Sequence, residues 1–137
     1  MAEGTLVRIE SDLDIVSARM QGRAIAVQLG FGATAATLIA TAISELARNV
    51  LLYAGRGEIV LTSVEHGTRR GLAVLAQDRG PGIPDIPRAM QDGYSTSGRL
   101  GLGLPGVRRL MDDFEIESSA GAGVRIVAKK WMPYPMT

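Results

Sequence analysis

Ile39-Ala40-Thr41-Ala42-Ile43-Ser44-Glu45-Leu46-Ala47-Arg48-Asn49-Val50-Leu51-Leu52-Tyr53 is the stretch on which the fold turns. Ile39, Ile43, Leu46, Val50 and Tyr53 follow one another at spacings of four, three, four and three, the stripe of a core-facing helix. Thr34 is the expected N-cap, and Gly55 and Gly57 end the helix. Glu45 and Asn49 lie four apart and share a face. At ~100° per residue that face lies beside the apolar stripe, not opposite it. A carboxylate and an amide there can reach into a cleft; a partly solvated helix flank is the alternative.

Upstream, Thr5 to Ile9 reads as a short strand and Ser11 as a helix cap. Val16, Met20, Ala24 and Val27 recur at helical spacing and are expected to face the core, with Gly30 as the stop. Downstream, Glu58–Val64 and Gly71–Asp78 have strand length and apolar content, with a polar turn between them. Asp78 closes the second strand and begins Asp78-Arg79-Gly80-Pro81-Gly82-Ile83-Pro84. Its carboxylate can accept hydrogen bonds from an amino group, and the two glycines permit close backbone approach. A tight turn with an Asx-type cap is the other reading. Ile86–Gln91 is a candidate short helix, and Asp92–Arg99 is polar and small. Gly101-Leu102-Gly103-Leu104-Pro105-Gly106 leads into a helix over Pro105–Met111 with Val107, Leu110 and Met111 on one face. Such a loop offers backbone N–H groups and a helix N-terminus to phosphate. Phe114–Ser118 and Val124–Trp131 read as a second hairpin. The order predicts one α+β domain over residues 1–137, with helices layered on one sheet face.

Composition narrows the chemistry. The 137-residue chain is 46% hydrophobic and 21% charged, ordinary for a globular domain. It has no cysteine and one histidine, His66, which excludes disulfides, thiolate nucleophiles and His-cluster metal sites. A net charge of +1, scattered basic pairs and 4% aromatic residues argue against a nucleic-acid surface. The most apolar run, Phe31–Ile43, is shorter than the ~20 residues of a membrane span, and no targeting signal is visible, so a cytoplasmic protein without membrane contact is expected. Gly101–Gly106 formally matches the dinucleotide fingerprint, but no strand or βαβ unit precedes it. No P-loop and no eukaryotic-type kinase signature occurs.

Taken together and in order, these segments resemble the GHKL ATPases, which include gyrase, histidine kinases and MutL. Glu45–Asn49 looks like the N-box, Asp78-x-Gly80-x-Gly82 like the first glycine box, and Gly101-Leu-Gly103-Leu like the second. A closer resemblance covers nearly the whole chain. Ala42–Asn49, Asp78–Asp85, Asp92–Gly98 and Gly103–Asp112 look like the RsbT-type serine/threonine switch kinases of bacterial stressosomes.

That resemblance implies a Bergerat two-layer sandwich with a mixed, mostly antiparallel sheet. It implies ATP and Mg²⁺ as cofactors. Asn49 would hold the metal, Asp78 would accept from the adenine amino group, and Gly80, Gly82 and Ile83 would pass close to the base. Asp92–Leu100, with Thr96, would form a lid, and Gly101, Leu102, Gly103 and Leu104 would meet the phosphates. Glu45 would be the catalytic general base. The implied partners are STAS-domain proteins of the RsbS and RsbR kind as substrates and a PP2C-type phosphatase activated on release. An anti-sigma factor, with a sigma factor as partner, is the alternative. Related proteins often carry a threonine after the last glycine pair, where this chain has Val124, which implies looser base recognition.

Overall fold

The computed structural model describes residues 4–83, 86–90, 103–119 and 121–133, with the side chains of 88 and 89 excepted. Nine elements occur in these segments: β1 (Gly4–Ile9), α1 (Asp12–Leu29), α2 (Ala33–Ala54), β2 (Gly57–His66), β3 (Arg69–Gln77), α3 (Ile86–Ala89), α4 (Gly103–Leu110), β4 (Asp113–Ser119) and β5 (Gly123–Trp131). The five strands form one sheet in the order β1-β2-β3-β5-β4. All four ladders are antiparallel.

The strands alternate between two faces, as a pleated sheet requires. Val7, Ile9, Ile59, Leu61, Val74, Ala76, Ile126 and Ala128 are buried on one face, where the helices lie. The other face carries Leu6, Arg8, Glu58, Gln77, Arg125 and Glu117, residues that no described helix covers.

α2 is the centre of the helical layer. Ile39, Ile43, Leu46 and Val50 are buried as their spacing predicts, and α2 packs on α1, α4, β2 and β3. By length and composition alone α2 could cross a membrane, but half of its apolar window is buried against the rest of the fold. It begins two residues before the position expected from an N-cap at Thr34. Gly32 is the N-cap, and its carbonyl accepts the first helical bond from Ala36 at 2.9 Å. α4 likewise starts two residues before Pro105, on Gly103, whose φ of 61° turns the incoming chain onto the helix.

α1 differs more instructively. Ser11 occupies the N-cap as expected, and the Asp14 carboxylate accepts from the backbone N–H groups of Glu10 and Ser11. The helix is rotated from its expected setting, however. Ile15, Ala18, Gly22 and Ala26 face the core, whereas Val16, Met20 and Val27 are exposed. The helix carries two apolar stripes on nearly opposite faces, roughly 150° apart at ~100° per residue, and periodicity favours the one with larger side chains. Packing favours the smaller one, because α1 lies so close to α2 that a Cβ on Gly22 would fall 2.1 Å from Ile43 Cδ1.

Candidate functional site

One rung of the sheet organises the site. Ile9 pairs with Gly57, and Val124 with Ser118. Asp78 continues β3 between them, donating its N–H to the Val124 carbonyl at 3.0 Å. Because Gln77 points to the helix-free face, Asp78 points to the helical one. Its Oδ1 accepts from the N–H of Gly80 at 2.9 Å and of Val124 at 3.2 Å. No bond to Oδ2 occurs among the described residues, so one oxygen anchors the side chain and the other is left to accept from a ligand.

Val124 therefore holds Asp78 through backbone atoms at both ends of the contact. Anchoring the aspartate does not depend on the side chain at 124, which is buried. Substituting valine for a hydroxyl residue removes a possible polar contact but leaves the Asp78 clamp in place.

Neighbouring glycines make room for this clamp. Gly123 has φ +91°, and a Cβ there would lie 2.1 Å from the Asp78 carbonyl oxygen and 2.8 Å from Arg79 Cα. At Gly80 a Cβ would lie 2.6 Å from Ala54 Cβ and 3.1 Å from the Tyr53 carbonyl oxygen, so this loop rests directly on the end of α2. Gly82 packs on Ser118 and Ser119 in the same manner. Ile83 is buried, and its N–H donates to Ser118 Oγ at 2.8 Å. Gly57, Ser118 and Gly123 thus belong to the site's framework, a role that spacing and composition assigned to none of them. Gly57 reads in sequence as a helix end, and only the resemblance drew attention to the glycine pair at 121 and 123. Gly123→Ala is expected to lower stability by about 3 kcal/mol, from backbone strain added to the clash with Asp78. Thermal and urea unfolding of the purified variant measure it.

α2 supplies the second wall. Glu45, Asn49 and Tyr53 follow at intervals of four along one flank, which ends where the Gly80 loop rests on Tyr53 and Ala54. The Glu45 side chain is 13% exposed and its Oε1 accepts from Arg48 Nη1 at 2.9 Å. Arg48, three residues on, was not foreseen as a partner; i,i+3 spacing was the clue to it. The ion pair fixes one carboxylate oxygen and leaves Oε2 for other contacts. Asn49 is half-buried, and its amide has no hydrogen-bond partner among the described residues.

α4 supplies the third wall and packs against α2. Gly103 opens it, and the N–H groups of its first turn have no intrahelical acceptor. The Leu104 side chain is buried in the core, so this residue can offer a ligand only its backbone. Thr96, Gly101 and Leu102, and the Asp92–Leu100 segment, lie outside the described residues.

A cavity of about 690 Å³ lies on the opposite, helix-free face. Arg8, Glu58, Gln77, Arg125 and Glu117 line it, one from each strand along one rung. Gln77 donates to Glu58 there. The cavity also touches Asp78 but neither Glu45 nor Asn49. The acid–amide pair therefore belongs to the helical face. His66 and Trp131 lie at the far end of the sheet, where the Arg69 guanidinium stands 4.9 Å above the Trp131 ring.

A family described as histidine kinase-like ATPase domain matches residues 9–130. The serine/threonine-protein kinase RsbT of Bacillus subtilis is 54% identical over 132 residues, covering 96% of this chain and 99% of that protein. The anti-sigma F factor of Clostridium kluyveri is 30% identical over 98 residues, 69% of each chain. That of a Thermoanaerobacter strain is 30% identical over 100 residues. On the family match over residues 9–130 and the whole-length similarity to RsbT, the chain belongs to the histidine kinase-like ATPase domain family, as an ATP-using serine/threonine protein kinase of the RsbT type.

Proposed function

We propose that this kinase transfers the γ-phosphoryl group of Mg-ATP to a serine or threonine of a STAS-domain protein of the RsbS or RsbR kind. On release from that partner it activates a PP2C-type phosphatase, as one component of a cytoplasmic partner-switching module. The clamp on Asp78 is the observation that supports the nucleotide assignment most directly. One oxygen is committed to Gly80 and Val124, and the other faces the helical layer, where it accepts from the adenine amino group.

Magnesium fits the residues present. Mg²⁺ takes oxygen donors, few of them from protein, and completes its shell with phosphate and water. The half-buried Asn49 amide, without a partner among the described residues, offers such an oxygen. When bound, the ion neutralises charge on the phosphates. The protein's own part is positioning. Asp78 fixes the base, and the backbone N–H groups at Gly103 and Leu104 meet the phosphates. Glu45 orients the incoming hydroxyl and takes its proton as the oxygen–phosphorus bond forms and the bond to ADP breaks. Its Arg48 contact holds one carboxylate oxygen so that Oε2 faces the nucleophile.

Purified protein incubated with Mg-[γ-³²P]ATP and recombinant STAS proteins tests the assignment. Label on a serine or threonine of the STAS protein is expected, and its loss in Glu45→Ala. Absence of transfer to any RsbS-like or RsbR-like STAS protein would overturn the substrate assignment. The matches to anti-sigma F factors support a second reading, in which the same kinase also binds a sigma factor. Co-purification with sigma factors in the presence of ATP separates the two.

A further inference from the structure

The loop from Arg79 to Ile83 carries the glycines that pass beside Asp78, and few hydrogen bonds hold it among the described residues. The Gly80 N–H donates to Asp78 Oδ1 at 2.9 Å, a contact between near neighbours in the chain. The Gly121 N–H donates to the Pro81 carbonyl at 3.2 Å, on the exposed rim. The remaining anchor is Ser118. Its Oγ accepts from the Ile83 N–H at 2.8 Å, and its hydroxyl lies 3.5 Å from the Ile83 carbonyl, in line to donate to it. Among the described residues no other side chain from outside this loop bonds to it.

The anchor lies at the buried end of the loop. Ile83 is in the core cluster, so without Ser118 its N–H would lose its acceptor in a place shielded from water. Gly82, with φ +89°, turns the chain directly over the hydroxyl: a Cβ there would lie 2.9 Å from Ser118 Oγ.

Register makes Ser118 part of the rung that carries Asp78. Ser118 pairs with Val124 across β4 and β5. Val124 turns both its N–H and its carbonyl toward Asp78. Val124 and Ser118 therefore form a non-hydrogen-bonded antiparallel pair, the kind in which side chains approach most closely. Alternation puts Asp78, Val124 and Ser118 on the helical face together. The rung has no hydroxyl on β5, where valine stands, but it has one on β4.

We propose that Ser118 is a positioning residue of the base pocket. Its hydroxyl ties Ile83 to the rung of Asp78, so that the loop wall and the carboxylate meet adenine in a fixed relation. This role rests on the reading of Asp78 as the acceptor for the base. It acts on affinity for the base and not for the phosphates.

Calorimetric titration of Ser118→Ala tests it. ATP should bind about five- to tenfold more weakly, the loss expected of one ordinary hydrogen bond. Inorganic tripolyphosphate, which has phosphates but no base, should bind variant and parent equally. Ser118→Thr keeps the hydroxyl and should bind ATP as the parent does. In the parent protein the Ile83 amide should exchange slowly with deuterium, and more slowly still with ATP bound but not with tripolyphosphate. That measurement stands whether or not Ser118→Ala folds. Undiminished ATP affinity in Ser118→Ala, or fast exchange at Ile83, would overturn the proposal. So would equal weakening of ATP and tripolyphosphate, which marks a general structural support, or a Ser118→Thr protein as weak as Ser118→Ala. Asp78→Asn separates these failures from failure of the base reading. If it binds ATP weakly while Ser118→Ala binds normally, only the role of Ser118 falls.

Discussion

Asn49→Ala should reduce phosphoryl transfer by at least about a hundredfold, the loss typical when one preorganised electrostatic contact to a reacting group is removed. The variant should melt like the parent protein. Asn49 is half-buried on the flank of α2, its amide is bonded to nothing among the described residues, and the core stripe of Ile39, Ile43, Leu46 and Val50 is untouched. Two measurements separate the proposed metal role from a structural one. Affinity for ATP in EDTA should be little changed, whereas the gain in affinity on adding Mg²⁺ should vanish. Unchanged transfer by a correctly folded Asn49→Ala protein would remove Asn49 from the site. Glu45→Ala, by contrast, should keep the Mg²⁺-dependent gain and lose only transfer, because its proposed partner is the attacking hydroxyl.

Asp78→Asn should weaken ATP binding by about a hundredfold while preserving the fold. Asparagine can keep its oxygen where Oδ1 accepts from Gly80 and Val124, so the clamp survives. The second oxygen becomes an NH₂ group, and a donor then faces the amino donor of adenine. Loss of a hydrogen bond to a charged group removes about 1.5–3 kcal/mol, and two opposed donors add to that cost. Calorimetric titration with ATP measures the change. Undiminished ATP affinity would show that Asp78 does not read the base. Asp78→Ala is a poorer test, since it also releases the N–H groups of Gly80 and Val124 and so perturbs the rung itself.

Much of the fold was legible because it is written in short-range periodicity. The spacings in Ile39–Tyr53 predicted a buried stripe with Glu45 and Asn49 on its flank, and α2 has that form. The hairpins were legible from apolar runs broken by polar turns. Helix starts were less so. Thr34 and Pro105 are good helix-start residues, yet glycines at 32 and 103 begin these helices, because the path of the incoming chain decides where the first turn closes. The glycines of the Asp78 loop read in sequence as permitting close backbone approach; the structure adds what lies on their Cβ side, Ala54 and Tyr53 at Gly80 and Ser118 and Ser119 at Gly82, contacts that no local pattern announces.

The same division runs through the whole chain. By itself the sequence determined the residue chemistry: a carboxylate and an amide one helical turn apart, an aspartate closing a strand, glycines before a helix, and no thiol or histidine cluster. It also determined that α1 would be helical, since either of its stripes has that period. Only the tertiary structure decided which stripe α1 buries, because the answer depends on how closely α2 approaches Gly22. Only the sheet register gathers Gly57, Asp78, Val124 and Ser118 into one rung, and register is fixed by pairing between strands far apart in the chain. Periodicity fixes what each segment can be; contact between segments fixes which face it turns inward and what it holds.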